Sequence, residues 1–224
     1  MGPVIGELLP YAVVVAISPI QLIAVILMLL APRARSTSTG FLIGWLAGLV
    51  AVTAVLVALT NRTSVGDGGD PSTSGGVSLA IGLGLVVLAV RTWRSRPGPD
   101  GDGSLPTWME AIDTFTAIKA TGLGFGLAFV NPKNLLMTVA AAVAISGADL
   151  TTSQELGAVL AYSALAASSV AVVVVAYLLA ADRVRGSLDA LKVWLERNNA
   201  AVMAAVLLVI AAVLVGKGIT ALSA

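Results

Sequence analysis

Six stretches of the chain are nearly unbroken runs of apolar residues: 8–31, 39–59, 75–90, 121–146, 156–181 and 200–216. A bilayer core about 30 Å thick takes roughly 20 residues of helix at about 1.5 Å each, so each run is near the length of one crossing. None alternates with the period of two that a half-exposed strand requires. The pattern predicts an all-α integral membrane protein of six transmembrane helices. Between the runs, residues 61–76 are rich in Gly, Ser, Thr and Asp, and residues 95–106 in Pro, Gly and Asp. Neither has the apolar content to order itself, and both read as tethers. Two further stretches have one apolar helical face. Trp108, Ile112 and Phe115 oppose Glu110, Asp113 and Thr114 in residues 107–119, and Leu188, Leu191 and Leu195 oppose Asp189, Lys192 and Glu196 in residues 187–197. Each fits either a helix lying in the membrane interface or a short cap packed on protein.

Composition agrees with this pattern and narrows the chemistry. Of 224 residues, 58% are hydrophobic and 11% charged, with a mean hydropathy of +0.97; soluble domains run nearer about 45–50% and about 25%. There is no Cys and no His. Disulfides, Cys- or His-based zinc sites, thiolate nucleophiles and His-based triads are thereby excluded. A phosphate-binding Gly-rich loop with its Lys and Ser/Thr is also missing. The chain reads as neither an enzyme nor an ATP-driven pump, with no metal and no cofactor. A net charge of +1 offers no surface for nucleic acid. The N-terminal run has Glu7 and no Lys or Arg ahead of it, so it reads as a retained helix rather than a removable signal.

The placement of the basic residues sets an expected orientation. Arg33, Arg35, Arg91, Arg94, Arg96, Lys119, Arg183, Arg185, Lys192 and Arg197 fall in connections on one side, against Arg62 and Lys217 on the other. Basic connections stay cytoplasmic, which puts both termini outside.

Two of the six runs are broken, at Ser18-Pro19 and at Asn131-Pro132. Each Pro stands about eleven residues into its run, and the breaks lie 113 positions apart; at the same offset Gly44 meets Gly157. Halves of three helices each would run in opposite directions through the membrane. The expected division is residues 1–94 as a first repeat, 95–119 as a cytoplasmic linker with an amphipathic helix, and 120–224 as a second repeat. Inverted repeats whose helices break near the midplane are a common build of secondary transporters. Proline removes a donor and displaces the carbonyl four residues earlier. Carbonyls such as those of Val15 and Ala128 then need other partners, so such breaks sit in protein or line a cavity. Ser18, Gln21, Asn131 and Asn134 place polar side chains at the same depth, as a binding site or as hydrogen-bonding glue between kinked helices.

Lys133 follows the second break. A cation at the membrane centre costs about 2.5–3.5 kcal/mol on insertion scales and normally has a partner. No Asp or Glu lies in the interior of any run; Glu7, Asp149, Glu155 and Asp182 stand near the ends. Lys133 could be an uncharged amine, face water, snorkel, meet an end-lying carboxylate bent inward, or await an anion brought by a substrate. Gly40, Gly44 and Gly48 repeat every four residues, a face for close packing either within the chain or across a homodimer. Gly122, Gly124 and Gly126 precede the second break as a hinge or as a further close approach.

At the breaks the sequence resembles known exporters. Asn131-Pro132-Lys133 is similar to the Asn-Pro-Lys signature of the six-helix LysE transporter superfamily. Residues 18–28 (Ser-Pro-Ile-Gln-Leu-Ile-Ala-Val-Ile-Leu-Met), with Pro32-Arg33-Ala34-Arg35 and residues 40–48, resemble the GAP family. These are the glycopeptidolipid- and sulfolipid-addressing, Sap-like proteins of mycobacteria and their relatives, and the likeness in length and helix order spans nearly the whole chain. The resemblance implies a multi-pass protein of the bacterial inner (plasma) membrane with a membrane lipid as substrate. It implies movement of an amphiphilic envelope glycolipid toward the cell surface, powered by the proton gradient, with lipid-synthesis or export machinery as partners. Lys133 would neutralise the head group, Asn131, Asn134, Ser18 and Gln21 would hydrogen-bond it, and Pro19 and Pro132 would hold the helices open. Two other functions fit the same residues: a LysE-type exporter of a small amino acid or ion, and a membrane scaffold that recruits lipid-synthesis enzymes through its amphipathic stretches.

Overall fold

A computed structural model describes residues 2–63, 71–94 and 111–223. Among them the regular elements are all helical: α1 (Gly2–Ala16), α2 (Pro19–Leu30), α3 (Ala34–Thr63), α4 (Pro71–Arg94), a 3-10 turn (Ala111–Thr114), α5 (Ala117–Val130), α6 (Pro132–Ser146) and α7 (Thr152–Leu222). Among the described residues two helices are long and apolar enough to cross a membrane, α3 over Ala34–Asn61 and α7; counting α1 with α2 and α5 with α6 as bent spans makes four. The outside of the molecule is rich in large apolar side chains, from Ile43 on α3 and Val87 on α4 to Val172 and Leu179 on α7. Such an exterior is compatible with lipid, since exposed apolar patches of this extent are rare on soluble monomers.

Both breaks form where proline stands. Proline disfavours the helical conformation in the residue before it and suits the first position of a new helix. Ser18 (φ −85°, ψ 114°) and Asn131 (φ −81°, ψ 108°) adopt nearly the same extended backbone, and each is followed by Pro as the opening residue of α2 or α6. The axis turns by 54° at the first break and 69° at the second.

α3 and α5 approach closely because glycines remove the side chains between them. A Cβ on Gly40 would lie 2.7 Å from the Ala117 carbonyl oxygen and one on Gly48 2.8 Å from that of Phe125, while one on Gly44 would overlap the backbone of Thr121. From the other side, Gly124 fits against the Phe41 carbonyl. The glycine face of α3 is thus filled within the chain. Gly122 and Gly126 have open space around them and take no part in this approach. α4 lies along the C-terminal half of α7, where Gly82 meets Val215.

α7 carries the connection between the fifth and sixth runs as helix, residues 187–197 included. The element is two helices joined across a kink at Ala180 (φ −147°, ψ 49°), where the fifth run ends. Its two parts, 152–179 and 181–222, are about 42 and 63 Å long at about 1.5 Å per residue. The charged residues 182–199 contain no Pro, and Leu, Lys, Arg, Glu and Ala all favour helix, so Gly186 does not end it. Within this stretch Leu188 and Leu195 are buried in the core while Trp194 is exposed, which favours packing on protein for the leucine face. The stretch 107–119 is not one amphipathic helix where it is described. Ala111–Thr114 is a 3-10 turn, with Ile112 buried and Phe115 half-buried, and the turn rests on α2. Trp108 and Glu110 lie outside the described residues, as do the connections 64–70 and 95–106.

Candidate functional site

The two helix breaks meet in the interior. Asn131 donates from Nδ2 to Ser18 Oγ at 3.5 Å, joining the two residues that precede the prolines. Ser18, Gln21, Asn131, Lys133 and Asn134 are all buried, the most accessible being Asn131 at 7%. Pro19 is buried as well, whereas Pro132 faces outward.

Each carbonyl at the end of α1 has an identified acceptor role, and together they locate Lys133. Ile17 N–H bonds the Val13 oxygen at 2.9 Å, and Ser18 N–H bonds that of Val15 at 3.2 Å. Ser18 therefore reaches back three residues rather than four. Val15, whose partner Pro19 cannot donate, is satisfied, and Val14 is the carbonyl set free. Lys133 Nζ donates to it at 2.8 Å. Ser169 Oγ, from α7, donates to the Ala16 oxygen at 2.6 Å. The expectation that Val15 would need a remote partner is corrected to Val14 by this one-residue shift. The C-terminus of a helix carries partial negative charge, so an ammonium placed there gains more than a single hydrogen bond.

Lys133 is 2% exposed, so it neither snorkels nor faces water in this conformation. Among the described residues no carboxylate approaches it; the ion pair found there is Lys192 with Glu196 at 3.7 Å. Its backbone N–H is held by Asn131 Oδ1 at 3.1 Å. An ammonium has three donors, and the Val14 carbonyl uses one.

Gln21 and Asn134 occupy equivalent places, three residues after each break. Neither nitrogen nor oxygen of either side-chain amide has a hydrogen-bond partner among the described residues. Each unsatisfied buried group costs about 1–3 kcal/mol, which is hard to reconcile with amides that merely glue helices. Reasoning from sequence missed several neighbours. Thr138 Oγ1 donates to the Asn134 carbonyl at 2.8 Å and shares a hydrogen bond with Tyr162 OH at 3.1 Å. Ser163 is buried, and its hydroxyl has no hydrogen-bond partner among the described residues. The available signal was the polar set Tyr162, Ser163 and Ser169 inside the fifth apolar run, where Tyr162, Ala166 and Ser169 share one helical face. Substituting Ser169 by Ala should lower stability by about 1 kcal/mol, measured as unfolding in detergent, because the Ala16 carbonyl would lose its partner.

Chemically, the centre offers one cation, several uncommitted amide and hydroxyl groups, and the N-termini of α2 and α6, whose dipoles are positive at that end. That combination suits a polar or anionic group. No three acidic side chains gather as a metal site among the described residues.

These features define a class: helical proteins with a lipid-compatible exterior whose polar residues gather where two helices break. Within it, the chain belongs to the Sap family, described as sulfolipid-1-addressing protein, whose model matches residues 8–220 and so takes in every residue of the candidate site. No curated protein and no solved structure matches the chain.

Proposed function

We propose that the protein is a secondary, flippase-like exporter that moves an amphiphilic envelope lipid across the bacterial inner membrane. The observation that carries this reading is the meeting of the two breaks around a buried, carboxylate-free Lys133. Discontinuous helices at mid-depth are where secondary transporters bind cargo. An amphiphile could keep its chains in lipid while its head group passes this polar centre. Lys133 would exchange the Val14 carbonyl for an anionic oxygen of the head group. Gln21, Asn134, Ser18 and Asn131 would supply hydrogen bonds, and Pro19 and Pro132 would keep the helices discontinuous. The family's description favours a lipid over a small amino acid or ion. Coupling to the proton gradient would place the transferred proton on Lys133, the basic side chain buried at the breaks.

The architecture in this reading is two inverted repeats with six crossings and both termini outside. Its support is the matched geometry of Ser18 and Asn131 and their direct contact. In each half a bent pair precedes a longer helix, and the third apolar run packs against the sixth through Gly82 and Val215.

Asn134→Leu separates a transport site from structural glue. Leucine removes two unsatisfied polar atoms, so the resting fold should keep its stability or gain about 1–3 kcal/mol, read from unfolding in detergent. Surface-extractable envelope lipid should fall by on the order of tenfold, the loss of one strong polar contact to the cargo. Lower stability with undiminished surface lipid would refute the assignment.

A further inference from the structure

A second basic site lies away from the central cluster. A cavity of about 540 Å³ opens between the turn joining α2 to α3 and the region of α7 around its interruption, lined by Leu30, Arg33, Arg35, Ser36, Tyr177 and Arg185 among others. Three arginines line it. None of them has a carboxylate within ion-pair distance among the described residues. Asp182 and Asp189 act on Arg185 from a distance, and neither lines the cavity.

The backbone adds to this positive charge. α3 starts at Ala34 without an acidic residue in its first turn. The first-turn N–H groups of Arg35 and Ser36 have no helical carbonyl to bond. Arginines at a helix N-terminus oppose the macrodipole rather than compensate it, so the arrangement is costly unless an anion offsets it. Tyr177 is buried, and its hydroxyl accepts from Arg185 Nη2 at 3.3 Å, which leaves the phenolic proton free to donate. Guanidinium forks match tetrahedral oxyanions. Next to Tyr177 the exterior turns apolar, with Leu178 and Leu179 exposed.

We propose that this cavity binds the sulfate- or phosphate-bearing head group of an anionic lipid, whose chains lie against the apolar surface beside it. α2 runs from the central cluster at Pro19 to the cavity at Leu30, about 17 Å at 1.5 Å per residue. The assignment does not depend on transport, because it concerns binding alone.

The test is retention of phosphatidylglycerol by the purified full-length protein from phosphatidylcholine nanodiscs doped with it, read by native mass spectrometry. The wild type should retain phosphatidylglycerol in preference to phosphatidylcholine. The combined variant Arg33→Gln, Arg35→Gln, Arg185→Gln should lower retention by on the order of tenfold or more. Arg183→Gln, an exposed arginine outside the cavity, should leave it unchanged. If the triple variant does not fold, Arg35→Gln alone, at an exposed position, must lower retention several-fold. Displacement by excess sodium sulfate would show that the oxyanion alone suffices; resistance would show that the lipid chains hold it, and both results sustain the site. Equal retention by wild type and cavity variants, or an equal loss in Arg183→Gln, would overturn it.

Discussion

Cells producing Lys133→Met should display no more extractable envelope lipid than cells lacking the gene, while the variant protein accumulates normally. The second half of that expectation follows from two opposing costs. Removing the ammonium leaves the Val14 carbonyl, now paired at 2.8 Å, without a donor, a penalty of about 1–3 kcal/mol. It also removes a cation from the apolar interior, where insertion scales charge about 2.5–3.5 kcal/mol. The two nearly cancel, so the fold survives. Nothing cancels the loss of the cation for an anionic head group, because no other Lys or Arg is buried among the described residues. Lipid extraction from the cell surface, alongside quantification of the protein in membranes, checks both parts. Wild-type surface lipid in this variant would remove Lys133 from the mechanism.

Gly44→Leu should abolish the folded protein. A Cβ at this position already overlaps the Thr121 backbone, and a backbone cannot move aside as a flexible side chain does. α3 and α5 would have to separate, breaking the contact that positions the second break. Overpacking of ordinary cores costs about 1–3 kcal/mol; a collision with main chain belongs at or above the top of that range, against total stabilities of about 5–15 kcal/mol. Gly122→Ala is the matched control. Its Cβ meets nothing within 4 Å, and the change gains up to about 1 kcal/mol of helix propensity. Membrane yield and thermal unfolding in detergent should therefore collapse for Gly44→Leu and hold or rise for Gly122→Ala. Equal behaviour of the two variants would mean that the α3–α5 interface is not as close as described.

Much of this was legible in the sequence because proline and glycine act through local rules. Pro19 and Pro132 dictated extended residues before them and fresh helices after them, and the spacing of Gly40, Gly44 and Gly48 announced a close helix contact. The absence of interior carboxylates could also be counted, which singled out Lys133. What could not be read depended on tertiary geometry. The carbonyl that Lys133 meets belongs to Val14 because Ser18 reaches back three residues instead of four, a choice with no sequence signature. Ser169 caps α1 from 153 positions away, and the pairing of Thr138 with Tyr162 is set by how α7 packs on α6. Residues 187–197 were legible as a helix from their leucine face, but their continuity with the sixth run was not, because it rests on lysine, arginine and glutamate being good helix formers throughout.

The scaffold alternative leans on the stretch 107–119, of which the described part docks Ile112 on the core and half-buries Phe115. Exporter and scaffold differ in one respect: an exporter itself moves the lipid, whereas a scaffold only recruits what does. The most direct measurement reconstitutes the purified chain in liposomes under a proton gradient. An anionic lipid with a fluorophore on its head group is followed as a membrane-impermeant quencher reaches it. Wild-type protein should move the inner-leaflet pool to the quencher, and Lys133→Met should not. An inner pool that stays protected with the wild-type protein, or that is released equally by Lys133→Met, would contradict the exporter reading.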